Sequence, residues 1–226
     1  KIEANNTVIN QNIDNKITSQ HNLILIIILF DILLKKQKIY EKRRDIMSNI
    51  TIKVASVDDA KRLLEIYTPY VLNTAITFEY DVPSLEEFRN RIKSTLIKYP
   101  YLVLMEDEKI IGYGYTGAFH PRAAYQWAAE TSIYLDIHHK GKGLGHLLYQ
   151  ELERISHLQH ITNLNACITY GNPQSIHFHE KEGYQEVAHF HRCGYKFNQW
   201  YDMIWMEKQI DQPDQPLPFI PFSRLK

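Results

Sequence analysis

The stretch "HHKGKGLGHLLYQ" (138–150) places three glycines and two lysines immediately before a run of regularly spaced leucines. Apolar residues here and just beyond recur at the spacing of one helix face: Leu144, Leu148, Leu152 and Ile155. The preceding segment "AAETSIYLDI" (128–137) is typical of a β-strand. The sequence therefore predicts a central strand, a glycine-rich loop and an amphipathic helix, in that order.

The loop in this unit has two readings. Its residues are Lys140, Gly141, Lys142, Gly143, Leu144 and Gly145. Glycines let backbone N–H groups turn inward, and with the positive end of the helix they form a site suited to a phosphate. The alternative is a plain turn with solvated lysines. The residue after the last glycine is His146, which excludes a P-loop, and the G-x-G-x-G spacing is tighter than the dinucleotide fingerprint.

Outward from this unit, the patterns predict the order β-α-α-β-β-β-α-β-α-β-β. Ser56 and Ser84 each begin a capping signature at the start of a helix. The segment "AITFEYDVP" (75–83) reads as a strand beside the first two helices, and residues 101–119 read as a hairpin that turns near Asp107. The expected fold class is α/β, more narrowly α+β, with a mixed sheet flanked by helices.

Three regions are expected along the chain. Residues 1–46 begin with Lys1 and are rich in Asn and Ile, so we expect non-native upstream sequence or a disordered extension. Their apolar run "NLILIIILFDILLKK" contains about a dozen apolar positions where ~20 are needed to cross a bilayer, so no membrane partner is expected. Residues 47–210 form the predicted domain, and 211–226 a proline-rich extended tail.

Charge and cysteine content narrow the class of protein. Lys plus Arg equals Asp plus Glu at 26 each, so no basic field points to a nucleic-acid partner. Cys167 and Cys193 are the two cysteines, too few for a disulfide framework or a four-thiolate zinc site. We therefore expect a cytoplasmic protein.

The glycine loop resembles the pyrophosphate-binding loop of the GCN5-related N-acetyltransferases (GNAT family), with Lys140 at a position that is Arg or Gln in the family pattern. Further blocks, spread over nearly all of 51–207, resemble its phosphinothricin and methionine sulfoximine acetyltransferase branch. They are "FEYDVPSLEEFRNRI", "YPYLV", "HPRAAYQWAAETSIYL", "NPQSIHFHEKEGY" and "GYKFNQWYDMIWM". The resemblance implies a GNAT fold with a mostly antiparallel sheet whose central strands splay apart.

The resemblance also implies a co-substrate and the residues that hold it. The co-substrate is acetyl-CoA, and no metal is expected. Its diphosphate would lie on the loop 140–145, and its pantetheine arm and thioester along the strand. The expected contacts outside the loop are Ile133, Tyr134, Leu135, Asn172 and Lys181.

Acetyl transfer to an amine requires removal of a proton from the amine, stabilisation of the carbonyl oxygen and protonation of the departing thiolate. Glu130 stands where the branch carries a glutamate and is the candidate base. His179 replaces the tyrosine that acts as general acid in most of the wider family, so acid catalysis and a structural hydrogen bond are both open for it.

The amine substrate is expected at "FHPRAAYQW". Arg122 resembles the branch's contact to the substrate carboxylate, for which a planar guanidinium is suited. Phe78, Tyr125 and Trp127 are candidates for the pocket wall, against the alternative of ordinary packing. The resemblance thus implies a small-molecule amine substrate, and a homodimer in which the aromatic C-terminal hairpin supplies the interface.

Three other functions are weighed. A metal module is the lesser alternative, because His189 and His191 would share one face of a strand, whereas His177 and His179 would diverge on a helix. A catalytically idle CoA-binding domain would use the same loop without releasing thiol. A protein N-terminal acetyltransferase would need an open peptide groove, whereas Arg122 and its aromatic neighbours favour a compact site.

Overall fold

The computed structural model describes residues 49–225. Contacts between Cα atoms divide the chain into the units Lys1–Ile50 and Thr51–Lys226, and the fold reported below is that of the second unit with the first residue of its opening strand. The predictions made for residues 1–46, including the apolar run, lie outside the described residues.

Seven strands and four α-helices make up the fold. In chain order they are β1 (Ile50–Val54), α1 (Ala60–Asn73), α2 (Leu85–Lys98), β2 (Tyr101–Glu106), β3 (Lys109–Ala118), β4 (Ala128–Leu135), α3 (Leu144–Leu158), β5 (Asn163–Thr169), α4 (Pro173–Lys181), β6 (Gln185–Lys196) and β7 (Gln199–Gln209). Short 3₁₀ turns lie at Val57–Asp59, Ala123–Tyr125, Ile137–His139 and Phe222–Arg224. Within residues 49–225, no helix combines the length and the apolar character that crossing a bilayer requires.

The strands form one sheet in the order β1-β2-β3-β4-β5-β7-β6, so β4 lies in the middle as predicted. Pairing is antiparallel between β2 and β3, β3 and β4, β5 and β7, and β6 and β7, whereas β4 and β5 are parallel. The mixed, mostly antiparallel sheet with flanking helices is confirmed.

The predicted splay of the central strands is confirmed by the pairing between β4 and β5. Only three residue pairs join them, and the last is Glu130 with Asn165. Beyond this point β4 remains paired with β3 as far as Leu135, while β5 remains paired with β7 as far as Thr169. A gap therefore opens in the sheet, and Glu130 lies where it begins.

Helices cover both faces of the sheet because the strand residues alternate between two buried sets. Tyr101, Val103 and Met105 of β2 pack in a cluster with the apolar faces of α1 and α2, whereas Leu102 and Leu104 are buried on the other side. The predicted stripe of α3 is buried throughout, at 0–5% exposure. Burial of one such leucine contributes about 1.5–3 kcal/mol.

Both predicted capping signatures form. Ser84 accepts a hydrogen bond from Glu87 N at 3.1 Å and begins α2. Ser56 and Asp59 form a capping box, although it begins a 3₁₀ turn that leads into α1 rather than the α-helix itself. The hairpin prediction is also confirmed, with Asp107 and Glu108 at positive φ in the turn between β2 and β3.

The strand predicted at 75–83 is wrong. This segment consists of bends and extended residues without a strand partner. One of its carbonyls accepts from a side chain instead: Lys196 Nζ donates to Thr77 O at 2.9 Å, and also to Thr74 O at 2.8 Å just before the segment and to Val71 O at 2.7 Å near the end of α1. A buried ammonium takes the place of the neighbouring strand that the sequence pattern implied.

Residues 211–225 run extended over the domain except for the 3₁₀ turn at Phe222–Arg224, which the proline content did not predict. Trp127 Nε1 donates to Leu217 O at 2.7 Å, Gln159 Nε2 to Ile220 O at 3.0 Å, and Ser223 Oγ to Ile97 O at 2.8 Å. The tail is therefore held to the domain by single hydrogen bonds rather than by a strand.

Candidate active site

Glu130 occupies the position at which β4 and β5 part. Its side chain is partly buried, and no hydrogen bond or ion pair reaches its carboxylate from the rest of residues 49–225. Burial raises the pKa of Glu130 above its ordinary value. A carboxylate with a raised pKa binds a proton more strongly than an ordinary glutamate, which is the property a general base requires.

The sheet face beside Glu130 continues across β5 and β7. Glu130 pairs with Asn165, and Cys167 follows on the same face and pairs with Trp205. Met203 lies on this face as well, with its Sδ 4.0 Å from Cys167 Sγ. These half-buried side chains provide a mainly apolar surface next to the carboxylate.

Cys167 is not prepared to act as a nucleophile. Burial, with a smaller effect of the Glu130 charge, raises the pKa of its thiol to about 12. The thiol is therefore neutral near pH 7, and a neutral thiol attacks poorly. The site suits direct transfer between two bound substrates better than transfer through a cysteine.

Aromatic rings border this face. Phe119 meets Trp205 edge to face at 5.3 Å between ring centroids, and Tyr125 meets Phe119 at 6.0 Å. Phe78 lies 6.2 Å from Tyr201. The structure thus brings two of the predicted wall residues, Phe78 and Tyr125, to rings that border the β7 face.

Phe78 is held there by the absence of a side chain at Gly194. A Cβ atom at Gly194 would lie 2.2 Å from Phe78 Cε2, so no other residue fits without displacing the ring. Trp127, the third candidate for the pocket wall, donates its indole N–H to the tail, and its role in the wall stays a prediction.

Arg122 lies directly before the 3₁₀ turn Ala123–Tyr125 and is exposed. Its guanidinium forms no ion pair with any carboxylate in the described part of the chain. An unpaired guanidinium near a ring-bordered face is available for a carboxylate of a ligand.

The glycine loop has the backbone conformation that glycine allows. Gly141 and Gly143 have φ of 78° and 79°, in the left-handed region, and a Cβ on either would meet no atom within 4 Å. Gly143 is the N-cap of α3 and offers no side chain to cap it. The first N–H groups of α3 have no carbonyl one turn earlier in the helix, so this entrance can bind an anion.

Gly145 serves a different purpose from the other two. It lies buried in the first turn of α3, and a Cβ there would come within 3.1 Å of Ile133 Cδ1 and 3.3 Å of the Phe178 ring. Its missing side chain lets the helix entrance approach both β4 and α4.

The lysines of the loop are exposed, as the turn reading also expects. Lys140 Nζ lies 4.4 Å from the centre of the Tyr70 ring, and its partial burial lowers its pKa. Tyr70 in turn donates to Leu135 O at 2.5 Å. These contacts join the loop to the end of β4, whereas Lys142 extends into solvent.

The remaining β4 residues combine packing with an open backbone edge. The Tyr134 ring packs edge to face on Tyr67 at 4.9 Å, and Ile133 lies under Gly145. Past Glu130, the strand edge that faces β5 has no strand partner. Ile133 and Tyr134 thus pack as partly buried residues, while the β4 edge past Glu130 is free to pair with an extended ligand except at Leu135 O, which accepts from Tyr70.

His179 is buried and both of its ring nitrogens have partners. Nδ1 lies 2.7 Å from the Ser175 carbonyl oxygen and donates to it, and Nε2 accepts from the Tyr149 hydroxyl. Burial lowers the pKa of the imidazole. These contacts favour the structural reading of His179, because a neutral ring engaged on both sides has no free proton to donate.

The two other predicted cofactor contacts lie on α4. Asn172 is its N-cap and accepts from Ser175 N at 3.3 Å, which leaves its amide NH₂ for a ligand. Lys181 ends the helix and lines a polar groove of about 500 Å³ together with His146 and Lys208. Glu130 does not line this groove, so the groove is not the site at which the amine would accept the acetyl group.

Sequence reasoning missed Tyr149, Cys167, Phe119 and Trp205. The helical spacing of Tyr149 marks it as buried but does not name its partner, which is 30 residues away in sequence. Cys167 and Trp205 meet through the β5–β7 register. Only the order of the strands reveals such pairs.

The fold and the site together define an acyltransferase of the N-acetyltransferase class: a mixed sheet whose middle strands part, a glycine-rich helix entrance beside the gap, and a half-buried carboxylate at its start. A family model described as an acetyltransferase (GNAT) domain matches residues 52–205, which is more than half of the chain. The chain belongs to the GNAT acetyltransferase family.

Individual relatives agree with this assignment. A phosphinothricin N-acetyltransferase of Alcaligenes faecalis is 31% identical over 173 residues, 74% of this chain and 86% of that protein. An L-methionine sulfoximine/L-methionine sulfone acetyltransferase of Salmonella typhimurium is 30% identical, over 74% of this chain and 98% of that protein. The crystal structure of a phosphinothricin acetyltransferase from Sinorhizobium meliloti in complex with acetyl-CoA is 30% identical, with a TM-score of 0.73 over 77% of this chain and 97% of that one.

Proposed function

We propose that this protein transfers the acetyl group of acetyl-CoA to the α-amino group of a small amino acid or analogue, of the phosphinothricin, methionine sulfoximine and methionine sulfone class. The observation that carries the proposal is the half-buried, unpaired carboxylate of Glu130 at the point where the central strands part. The activities after which the relatives are named, and the acetyl-CoA bound in the structural neighbour, support this choice of substrates.

The glycine loop is the proposed diphosphate site. Open space at Gly141 and Gly143 and the uncapped entrance of α3 fit an anion, with the exposed Lys140 and Lys142 at its rim. The free edge of β4 at 133–135 fits the amide groups of an extended arm, and Asn172 and Lys181 are proposed further contacts. When bound, acetyl-CoA supplies an activated acetyl group on a thiol leaving group.

Glu130 is the proposed base. An amino acid reaches the enzyme mainly as an ammonium, which has no lone pair with which to attack a carbonyl. The Glu130 carboxylate accepts the proton, directly or through a water molecule, and its raised pKa makes that transfer more favourable. A backbone N–H on the free β4 edge is placed to stabilise negative charge on the carbonyl oxygen.

Arg122 is the proposed partner of the substrate carboxylate, and Phe78 and Tyr125 border the side-chain pocket. His179 is assigned a positioning role: it fixes the Tyr149 hydroxyl between α3 and α4. The transfer as proposed uses no metal ion.

A second copy of the chain is the proposed partner. The β6–β7 hairpin exposes five large apolar side chains, each 44–51% exposed: Val187, Phe190, Tyr195, Phe197 and Trp200. Exposed apolar side chains concentrated on one hairpin are typical of an interface. Light scattering should give twice the chain mass for the wild type and the single mass for Trp200→Glu, with the α1 surface variant Leu72→Glu as control; a monomeric wild type contradicts the homodimer.

The cytoplasmic location and the boundaries 1–46, 47–210 and 211–226 remain predictions.

The function is tested by thiol release from acetyl-CoA across a panel of amines. We expect phosphinothricin, methionine sulfoximine and methionine sulfone to be acetylated faster than peptides with free N-termini. Faster release with peptides would indicate a protein N-terminal acetyltransferase. Acetyl-CoA binding without thiol release from any amine would indicate an idle binding domain.

A further inference from the structure

Three side chains of metal-binding type meet on the β6–β7 hairpin. His189 and His191 lie two residues apart on β6, and Asp202 lies on β7. The register of the hairpin shifts between Phe190 and Gly194, so the bulged residues of β6 lie opposite Asp202. The two strands thereby bring the imidazoles and the carboxylate to one point.

The donor atoms are close enough to share one ion. His189 Nε2 and His191 Nδ1 each lie 3.0 Å from the same oxygen, Asp202 Oδ2. All three ligand atoms lie within 4.8 Å of one another. Zinc binds nitrogen and oxygen at about 2.0–2.1 Å, so neighbouring ligand atoms of a tetrahedral site are about 3.3 Å apart. The two distances from a histidine nitrogen to Asp202 Oδ2 are within a few tenths of an ångström of that value, and the two nitrogens lie within 4.8 Å of each other.

The carboxylate is oriented by a separate contact. Arg192 N donates to Asp202 Oδ1 at 2.7 Å, with Arg192 at φ 50°. The other carboxylate oxygen, Oδ2, is thereby turned toward the histidines, as in metal sites whose ligands are held by outer contacts.

The cluster is also accessible and partly packed. The His191 side chain is 75% exposed, which gives an ion a path from solvent. The His189 ring lies 4.6 Å from the Tyr170 ring and 4.4 Å from the His191 ring. Tyr170 N in turn donates to Asp202 O at 2.9 Å, so the residue that follows β5 also contacts the site.

We propose that His189, His191 and Asp202 bind one Zn²⁺ ion, with solvent at the remaining position. Two imidazoles and a carboxylate are ligands that Zn²⁺ prefers. Asp202 alternates along β7 with Met203 and so faces away from the surface beside Glu130. The ion would join β6 to β7 and would take no part in acetyl transfer.

Zinc binding to the full, chelator-treated chain tests this site directly, by calorimetry and by the visible absorption of Co²⁺ as a substitute ion. We expect one saturable site per chain. His191→Ala and Asp202→Asn should each weaken binding by more than about tenfold, since loss of even an outer contact costs 10–100-fold. In the presence of chelator His191→Ala should melt like the wild type, because the His191 side chain is 75% exposed, and Asp202→Asn keeps an oxygen that can accept from Arg192 N.

His177→Ala is the matched control. His177 is also exposed and lies 3.5 Å from the Glu180 carboxylate, but it has no second histidine beside it. Its replacement should leave Zn²⁺ affinity unchanged. The proposal is overturned if the wild type shows no saturable binding, or if His191→Ala and Asp202→Asn bind Zn²⁺ as tightly as the wild type, since the ion would then lie elsewhere.

Discussion

Glu130 and His179 are the two titratable groups that sequence patterns select for catalysis, and the fold treats them in opposite ways. Glu130 lies at the start of the gap between β4 and β5, half-buried, with a carboxylate that lacks a hydrogen-bond partner in residues 49–225. His179 is buried on α4 with Ser175 O at one ring nitrogen and the Tyr149 hydroxyl at the other.

The contrast distinguishes a side chain available for catalysis from one with a structural role. Buried polar groups are normally hydrogen-bonded, and an unpaired one costs free energy unless it has a use. His179 follows the rule, so its contacts account for its presence without a catalytic role. Glu130 departs from the rule at the point where a substrate would supply the missing partner.

The largest effect is expected from Glu130→Gln. This change keeps the shape of the side chain and removes the proton acceptor, so kcat should fall by about 10²–10⁴-fold. Acetyl-CoA binding, measured by calorimetry, should be retained because the glycine loop is untouched. Turnover equal to that of the wild type would remove Glu130 from the mechanism.

The pH dependence of the wild type sharpens the same test. A base works in its ionised form, so kcat/KM should rise with pH through the pKa of Glu130. Burial raises that pKa, and the rising limb should therefore lie above the ordinary glutamate value of about 4.3. The limb should be absent from the residual activity of Glu130→Gln.

Arg122→Ala should have the next largest effect, and on binding rather than chemistry. Loss of a charge-assisted hydrogen bond worth about 1.5–3 kcal/mol should raise the KM for the amino acid roughly 10–100-fold. The KM for acetyl-CoA should change little. The control is Arg154→Ala, since Arg154 is an exposed arginine already paired with Glu151. Equal rises in both KM values for Arg122→Ala would count against a substrate contact.

His179→Ala should lower the free energy of unfolding more clearly than it lowers kcat. Removal of the ring leaves the buried Tyr149 hydroxyl without its partner, at a cost of about 1–3 kcal/mol in the free energy of unfolding. At a temperature where the variant is folded, kcat should change less than about tenfold, below the usual range for loss of a general acid. His179→Gln, which can restore part of the hydrogen bonding, should recover stability. A hundredfold loss of kcat in both variants, with loss of the alkaline limb, would restore the acid role.

The sequence predicted what local patterns determine. The strand, loop and helix around 128–155, the two serine caps and the two hairpins all depend on neighbouring residues, and all appear in the structure. The strand predicted at 75–83 is absent, and Lys196, more than a hundred residues away, donates to the carbonyl oxygens of Thr74 and Thr77 there. No local pattern signals that contact.

The candidate site divides in the same way. The resemblance supplied Glu130, the loop and Arg122, and in the structure Glu130 lies where the gap begins while the loop follows the far end of β4. The surface formed by Cys167 and Trp205 depends on the β5–β7 register. The structural role of His179 depends on its contact with Tyr149, which lies on another helix. Pairings between distant elements require the fold.

The smallest expected effect is on thermal stability. It is the most direct measure of the contrast between Glu130 and His179, because it has opposite signs at these two positions. Burial raises the pKa of Glu130, so the folded state favours the protonated form and its ionisation costs stability as the pH rises through that pKa. Burial lowers the pKa of His179, so its contribution is present above the ordinary histidine value of about 6.5 and is lost as the pH falls. At pH 7, Glu130→Gln should therefore melt slightly above the wild type and His179→Ala below it, and the gain from Glu130→Gln should vanish near pH 4. Thermal melts between pH 4 and 8 measure both signs, and a Glu130→Gln variant less stable than the wild type at pH 7 would mean that the carboxylate has a structural partner after all.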